Sequence, residues 1–220
     1  MPAPGILVLA FAAALAVALY AYAGYPLFLA LATRRRGRPP AARDWTPRVS
    51  LLIPAYNEAA VIRGKLENSL ALDYPGDRLE ILVGSDGSTD GTEGLARPFE
   101  ARGPVRVLAF SVRRGKAAVV NDLVAAAQGE IVVCSDANVV CPPDALRQLL
   151  RPLADPAVGC VTGDVILLNG HAGWSRGETL YYRVERFIQE RESRLGSVVG
   201  ADGGLYAFRR ALFTPLDPGA

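Results

Sequence analysis

Two hydrophobic patterns divide the chain. Residues 6–32 form one apolar run without a charge. As a helix, at about 1.5 Å per residue, that run exceeds the roughly 30 Å hydrocarbon core of a bilayer. Beyond Trp45 and Pro47 the pattern changes to short apolar stretches separated by amphipathic segments, as in a mostly parallel sheet with helices on its faces. VSLLI (49–53), LEILVG (79–84), VRVLAF (105–110) and EIVVCS (130–135) read as strands. The last is too short for a helix between Gly129 and Asp136. Segments 59–70 and 117–127 read as helices, Thr89 or Asp90 as the cap of another, and Pro142-Pro143 as the opening of a further one. CVTGDVILL (160–168) is predicted to be extended and 173–195 a long polar helix. No internal repeat or low-complexity segment interrupts this alternation.

The apolar run has the marks of a membrane anchor. Tyr20, Tyr22 and Tyr25 cluster near one end, where amphipathic rings prefer the interface, and Pro26 is expected to kink or end the helix there. Arg34, Arg35, Arg36 and Arg38 follow at once, which by the positive-inside rule places the C-terminal side in the cytoplasm. A cleaved signal peptide fits less well, because nothing basic precedes the run and its length is about double that of an ordinary h-region. The expected organisation is an anchor over 1–33, a basic juxtamembrane linker over 34–47 and an α/β domain over 48–220.

Composition narrows the field. The 220 residues are 50% hydrophobic and the mean hydropathy is +0.19, room for one ordinary domain plus an apolar segment. With 24 Lys+Arg against 22 Asp+Glu there is no global basic field, which argues against nucleic acid as a partner. Cys134, Cys141 and Cys160 lie in apolar surroundings without C-x-x-C spacing, and His171 is the one histidine. The cysteines therefore read as buried thiols in a reducing compartment and His171 as an exposed loop residue, not as metal ligands.

In open α/β sheets, ligands bind beyond the carboxyl ends of the strands. Those positions are polar throughout: PAYNE (54–58), SDGSTDGT (85–92), RRGKAAVVN (113–121) and SDAN (135–138). Singly, each has a plain structural reading. Asn57-Glu58 suits a helix start, Asp86-Gly87 a turn, Asp136 a helix cap.

Together, in this order and spacing, the four segments resemble family 2 glycosyltransferases of the GT-A fold, from about Arg48 onward. The resemblance implies that PAYNE and DGSTDGT hold a nucleotide. Asp86 would accept a hydrogen bond from a uracil imide, with Ala55, Tyr56 and Glu58 lining the base and ribose pocket. Lys116, one of only two lysines, would approach the donor, although a solvated lysine at a helix start is the alternative. SDAN stands where the family has D-x-D, which implies a divalent cation, Mg²⁺ or Mn²⁺, bridging two phosphates. Asp136 would be the primary ligand or a ribose contact. Asn138 replaces the second aspartate with a neutral group and is a weaker candidate ligand. GADGGLYAFRR (200–210) resembles the floor of the sugar and acceptor site, with Asp202 a candidate substrate contact and Gly203-Gly204 allowing close approach. A Gly-rich turn before a short helix is the other reading of that segment.

The resemblance implies inverting transfer from a UDP-sugar to a glycan or lipid-linked acceptor, with an extracellular polysaccharide or lipid-linked glycan as product. Family members carry an acidic catalytic pair shortly after R-R-x-L-F-x-P-L, here RRALFTPL (209–216), so the base is expected beyond Ala220. Asp217 falls too early, and Asp202 is the fallback. A non-catalytic, membrane-tethered nucleotide-sugar-binding subunit is the alternative, supported by Asn138 alone. Gly84, Gly87 and Gly91 run G-x-x-G-x-x-x-G, which lacks the dinucleotide fingerprint of an oxidoreductase. No Gly-rich phosphate loop follows the first strand, which argues against nucleotidyl transfer.

Overall fold

The computed structural model describes residues 4–34, 43–164, 176–201 and 203–217. Arg35, Arg36, Arg38, His171 and Asp202 lie outside them. The chain forms two compact units, one from residues 1–39 with 167–200 and the other from 40–166 with 201–220.

In the first unit, α1 (Pro4–Leu19) runs through a π-helical turn, Tyr20–Gly24, into α2 (Tyr25–Ala32). Gly5–Ala32 is thus one helix long and apolar enough to cross a membrane, with side chains such as Leu9, Phe11 and Val17 exposed. Pro26 does not end it. The Tyr25 N–H bonds Tyr20 O, five residues back. The extra residue in that turn opens the ladder where the pyrrolidine ring would strike the Tyr22 carbonyl. The long helix Arg176–Leu195 packs on α2: Tyr25 Oη donates to Glu192 Oε1 at 2.6 Å and Arg191 Nη1 to Thr33 Oγ1 at 3.2 Å, beside buried Leu29.

The second unit is built on a six-stranded sheet. Its strands are β1 (Val49–Ala55), β2 (Leu79–Asp86), β3 (Val105–Phe110), β4 (Ile131–Ser135), β5 (Cys160–Thr162) and β6 (Leu205–Arg209), in the order β3-β2-β1-β4-β6-β5. The first four are parallel, and β6 runs antiparallel between β4 and β5. Helices α3 (Ile62–Leu70), α4 (Thr92–Ala96) and α6 (Ala145–Leu150) accompany Leu51, Ile53, Ile81 and Val133 in the core on one face. On the other, α5 (Lys116–Ala126) covers Leu52, Leu82, Val132 and Cys134. Burial on both faces is why the central strands read as unbroken apolar runs. At Gly84 a Cβ would lie 2.4 Å from Val119 Cγ1, so the glycine lets α5 close onto β2.

Several boundaries differ from the sequence reading. β1 and β2 extend two residues further, to Ala55 and Asp86, α3 starts at Ile62 after a turn, and α6 starts at Ala145. Within the described residues 160–164, Cys160–Thr162 is strand, and 165–168 lie outside the described residues. LYAFR, read as part of a Gly-rich segment or short helix, is β6. Its register against β4, Leu205 opposite Ser135, is a pairing between distant segments that no local pattern announces. Asp136 is not a helix cap, because a turn follows β4. Cys134 and Cys141 are buried free thiols, but Cys160 is exposed. It opens β5, the edge strand, where the sheet stops covering its neighbours.

Candidate active site

The carboxyl ends of β1 and β2 lie side by side, with Ala55 paired to Ser85, and the loops that follow are laced together. Asn57 adopts φ 54°, a left-handed conformation that asparagine tolerates. Its Oδ1 accepts the Thr89 N–H at 2.9 Å, and its own N–H reaches Ser88 Oγ at 3.2 Å. The Glu58 N–H donates to Thr92 Oγ1 (2.8 Å) and the Ala59 N–H to Asp90 Oδ2 (2.9 Å). Asp90 Oδ1 also accepts the Thr92 hydroxyl and, at 3.0 Å, its N–H, at the start of α4. The Thr92 hydroxyl first, and the Ala59 N–H next, hold the Asp90 carboxyl below the usual carboxylate range. PAYNE and DGSTDGT are therefore one scaffold.

Asp86, only 4% exposed, anchors the loop between β3 and α5. Its Oδ1 accepts the Arg114 N–H at 2.7 Å and its Oδ2 the Gly115 N–H at 2.8 Å. Gly87 turns the chain with φ 63°, and a Cβ there would lie 2.6 Å from the Arg113 nitrogen, so the turn requires glycine. An ionised carboxylate has about four lone-pair sites. Among the described residues two are used by backbone N–H groups, and the carboxylate also lines the cavity described next.

Ala55, Tyr56, Glu58, Asp86, Lys116, Asp136 and Asn138 line one cavity of about 260 Å³. The fold thus gathers seven positions read from sequence. Arg113 adds a wall, its guanidinium 4.2 Å from the Tyr56 ring centroid. Lys116, the first residue of α5, donates to Asp136 Oδ1 at 2.6 Å. It is ion-paired rather than simply solvated. The Asp136 N–H donates to Gly204 O at 3.0 Å, which brings the start of β6 to the site. A larger depression of about 440 Å³, lined by Asp44, Trp45, Arg78 and Glu130, lies at the opposite edge of the sheet. It is the wrong end for a ligand in an open α/β sheet, and Arg78 there already donates to Thr46 O at 2.7 Å.

Sequence reasoning missed Lys65, Asn68 and Asn121. Lys65 on α3 is 3% exposed, and its Nζ donates to Ser135 Oγ (2.6 Å) and Val139 O (2.7 Å). Burial pushes its pKa down, against the upward pull of Cys141 and Asp136. The available signal was compositional, since Lys65 is the other of the two lysines. Asn121 fastens the end of RRALFTPL onto α5, accepting the Leu216 N–H at 2.8 Å and donating to Leu216 O at 2.9 Å. The paired arginines of that motif are structural. Arg209 holds Leu153 O, Asp155 O and Val158 O, and Arg210 holds Ala127 O.

A largely parallel sheet with an antiparallel β6, and a carboxylate-lined cavity at its carboxyl edge, form the arrangement of the GT-A fold. Residues 50–214 match the model of glycosyl transferase family 2, and the chain belongs to that family. It is 31% identical over 174 residues to a beta-monoglucosyldiacylglycerol synthase of Synechocystis sp., covering 76% of this chain and 36% of the relative. A mannosyltransferase from Pyrobaculum calidifontis in complex with GDP-Man and Mn²⁺ superposes with a TM-score of 0.72 at 34% identity, covering 90% of this chain and 56% of the other. A glucosyl-3-phosphoglycerate synthase from Mycobacterium tuberculosis, in complex with Mn²⁺, UDP and glucosyl-3-phosphoglycerate, gives 0.51 at 25% identity, covering 76% and 58%. The chain thus spans between about a third and three-fifths of the length of these relatives.

Proposed function

We propose that this chain holds the donor site of an inverting glycosyltransferase that moves a sugar from a UDP-sugar to a glycan or lipid-linked acceptor at the cytoplasmic face of the plasma membrane. The observation that carries this reading is the single cavity joining Tyr56, Asp86, Lys116 and Asp136 at the carboxyl edge of the sheet. Asp86, already fixed by two backbone N–H groups, offers its remaining lone pairs to an imide N–H of the base. Tyr56 and Arg113 flank the base and ribose. Lys116 supplies a cation for the diphosphate, and Asp202 is kept as a candidate contact to sugar or acceptor.

The residues fit a divalent cation that arrives with the nucleotide. Among the described residues no group of three or more His, Cys, Asp or Glu is placed to hold a metal alone. Asp136, with Asn138 as a neutral second ligand, would complete a shell drawn mainly from phosphate oxygens and water, an ordinary arrangement for Mg²⁺ and open to Mn²⁺. When bound, the cation would stabilise the charge that develops on the departing diphosphate. The protein's part is to orient the donor so that an acceptor hydroxyl meets the anomeric carbon in line. The proton of that hydroxyl would pass to a carboxylate acting as general base.

The membrane setting is supported by the exposed apolar helix Gly5–Ala32 and by Arg34 immediately after it. The lipid-linked acceptor is supported by the similarity to a beta-monoglucosyldiacylglycerol synthase. A GDP-sugar donor is a second reading, favoured by the mannosyltransferase at 34% identity. Both carry an N–H that a carboxylate can accept. Calorimetry with UDP and GDP, followed by release of nucleotide from a panel of UDP-sugars and GDP-mannose, tests both. Tighter binding of UDP supports the first, tighter binding of GDP replaces it with the second, and binding of neither removes the donor-site reading.

A further inference from the structure

We propose that Lys65 is a positioning residue of the donor site, a buried ammonium that sets the shape of the turn carrying Asp136 and Asn138. The proposal rests on the donor-site reading above. Of the 24 basic side chains, 22 are arginine. The two lysines, 51 residues apart in sequence, both meet the end of β4. Lys116 takes the Asp136 carboxylate from the cavity side, and Lys65 takes the backbone turn from within the protein.

The geometry is that of a clasp. Lys65 Nζ bonds Ser135 Oγ, on the last residue of β4, and Val139 O, four residues further on. Between those points the Val139 N–H closes back onto Asp136 O at 3.2 Å. Asn68, three residues beyond Lys65 on α3, extends the clasp, accepting the Cys141 N–H at 2.9 Å and donating to Cys141 O at 2.8 Å. Helix α3 therefore grips both ends of 135–141, while Asp136 and Asn138 stand in the cavity wall. A compact ammonium can place separate protons on a hydroxyl and a carbonyl inside one turn, where a planar guanidinium fork would need more room. Burying a cation is unfavourable unless its protons are bonded. Both Lys65 bonds go to this turn, so the turn and the cation hold each other in place.

Lys65→Met keeps the length and apolar stem and removes the donors. Two readouts separate positioning from simple packing. In metal-free protein, hydrogen exchange across 135–141 should quicken at least about tenfold in the variant, while β1 exchanges as before. In calorimetry with UDP, and with GDP alongside, the gain in affinity from adding Mn²⁺ should shrink by about tenfold, with affinity in EDTA within about twofold of the parent. An unchanged Mn²⁺ gain, or equal losses with and without metal, overturns the proposal. If Lys65→Met does not fold, Ser135→Ala removes one acceptor and leaves the cation buried. A smaller loss of the same selective kind is expected, and an unselective loss overturns the proposal. Parent protein that binds neither nucleotide overturns the donor-site reading instead, and the exchange measurement still decides whether Lys65 shapes the turn.

Discussion

Lys116 and Asp136 meet at 2.6 Å on the wall of the cavity, a cation that suits phosphate beside a carboxylate that suits a metal. Both are substantially exposed, with side chains 54% and 36% accessible, so their pairing contributes no more than about 1 kcal/mol. Each can exchange its partner for a ligand at little cost. Lys116→Met should weaken nucleotide diphosphate binding about equally with Mn²⁺ and in EDTA, and Asp136→Ala only when Mn²⁺ is present. A lost bond to a charged group, about 1.5–3 kcal/mol, corresponds to roughly one to two decades of affinity. Calorimetry in the two conditions checks the division of roles, and matching metal dependence in both variants would contradict it.

Asp86 has a structural duty as well as a proposed ligand. Asp86→Asn would turn an amide N–H₂ toward the N–H of Arg114 or Gly115, leaving a buried donor without an acceptor. The expected cost is about 1–3 kcal/mol, a fall in Tm of roughly 2–12 °C for a chain of this size. Nucleotide affinity should drop in EDTA too. A melt in detergent with the nucleotide absent reads the first effect, and an unchanged midpoint would show that the two backbone bonds contribute little.

Asp90 gives the lacing of the two loops an acid limit. Its pKa is lowered in the folded chain by the bonds from Thr92 and Ala59. The stabilisation is therefore complete above the unfolded value, about 3.9, and is lost as pH falls through the lower folded value. Melting temperature measured from pH 7 down to pH 3 should fall less steeply in Asp90→Asn than in the parent below about pH 4. Parallel curves would count against the assignment.

The anchor makes a prediction about sides. A reporter active only in the cytoplasm, fused after Ala220, should be active when the chain is inserted. An inactive reporter on demonstrably inserted protein would reverse the proposed orientation.

Much of the candidate site was legible because α/β sheets concentrate function in the residues directly after their strands. Finding four strands therefore meant finding Tyr56, Asp86, Lys116 and Asp136. What each side chain holds was less legible. Asn57 and Asp90 read as a helix start and a cap, and Asp90 does accept the Thr92 N–H at the start of α4, but both also join two loops some thirty residues apart. Lys65 sits mid-helix in an ordinary polar stretch, and only the approach of α3 to the end of β4 and the turn after it gives it its partners.

The sequence by itself determined the apolar span of residues 6–32, the four parallel strands and the family, because each depends on local periodicity or short polar segments at strand ends. Tertiary structure alone decided that Leu205–Arg209 enters the sheet antiparallel beside β4, that Cys160 is exposed at the edge, and that both lysines converge on one turn. The physical reason is range. Helix and strand periods repeat within a few residues, whereas these features are set by hydrogen bonds between segments far apart in sequence, whose partners become visible only once the chain has closed on itself.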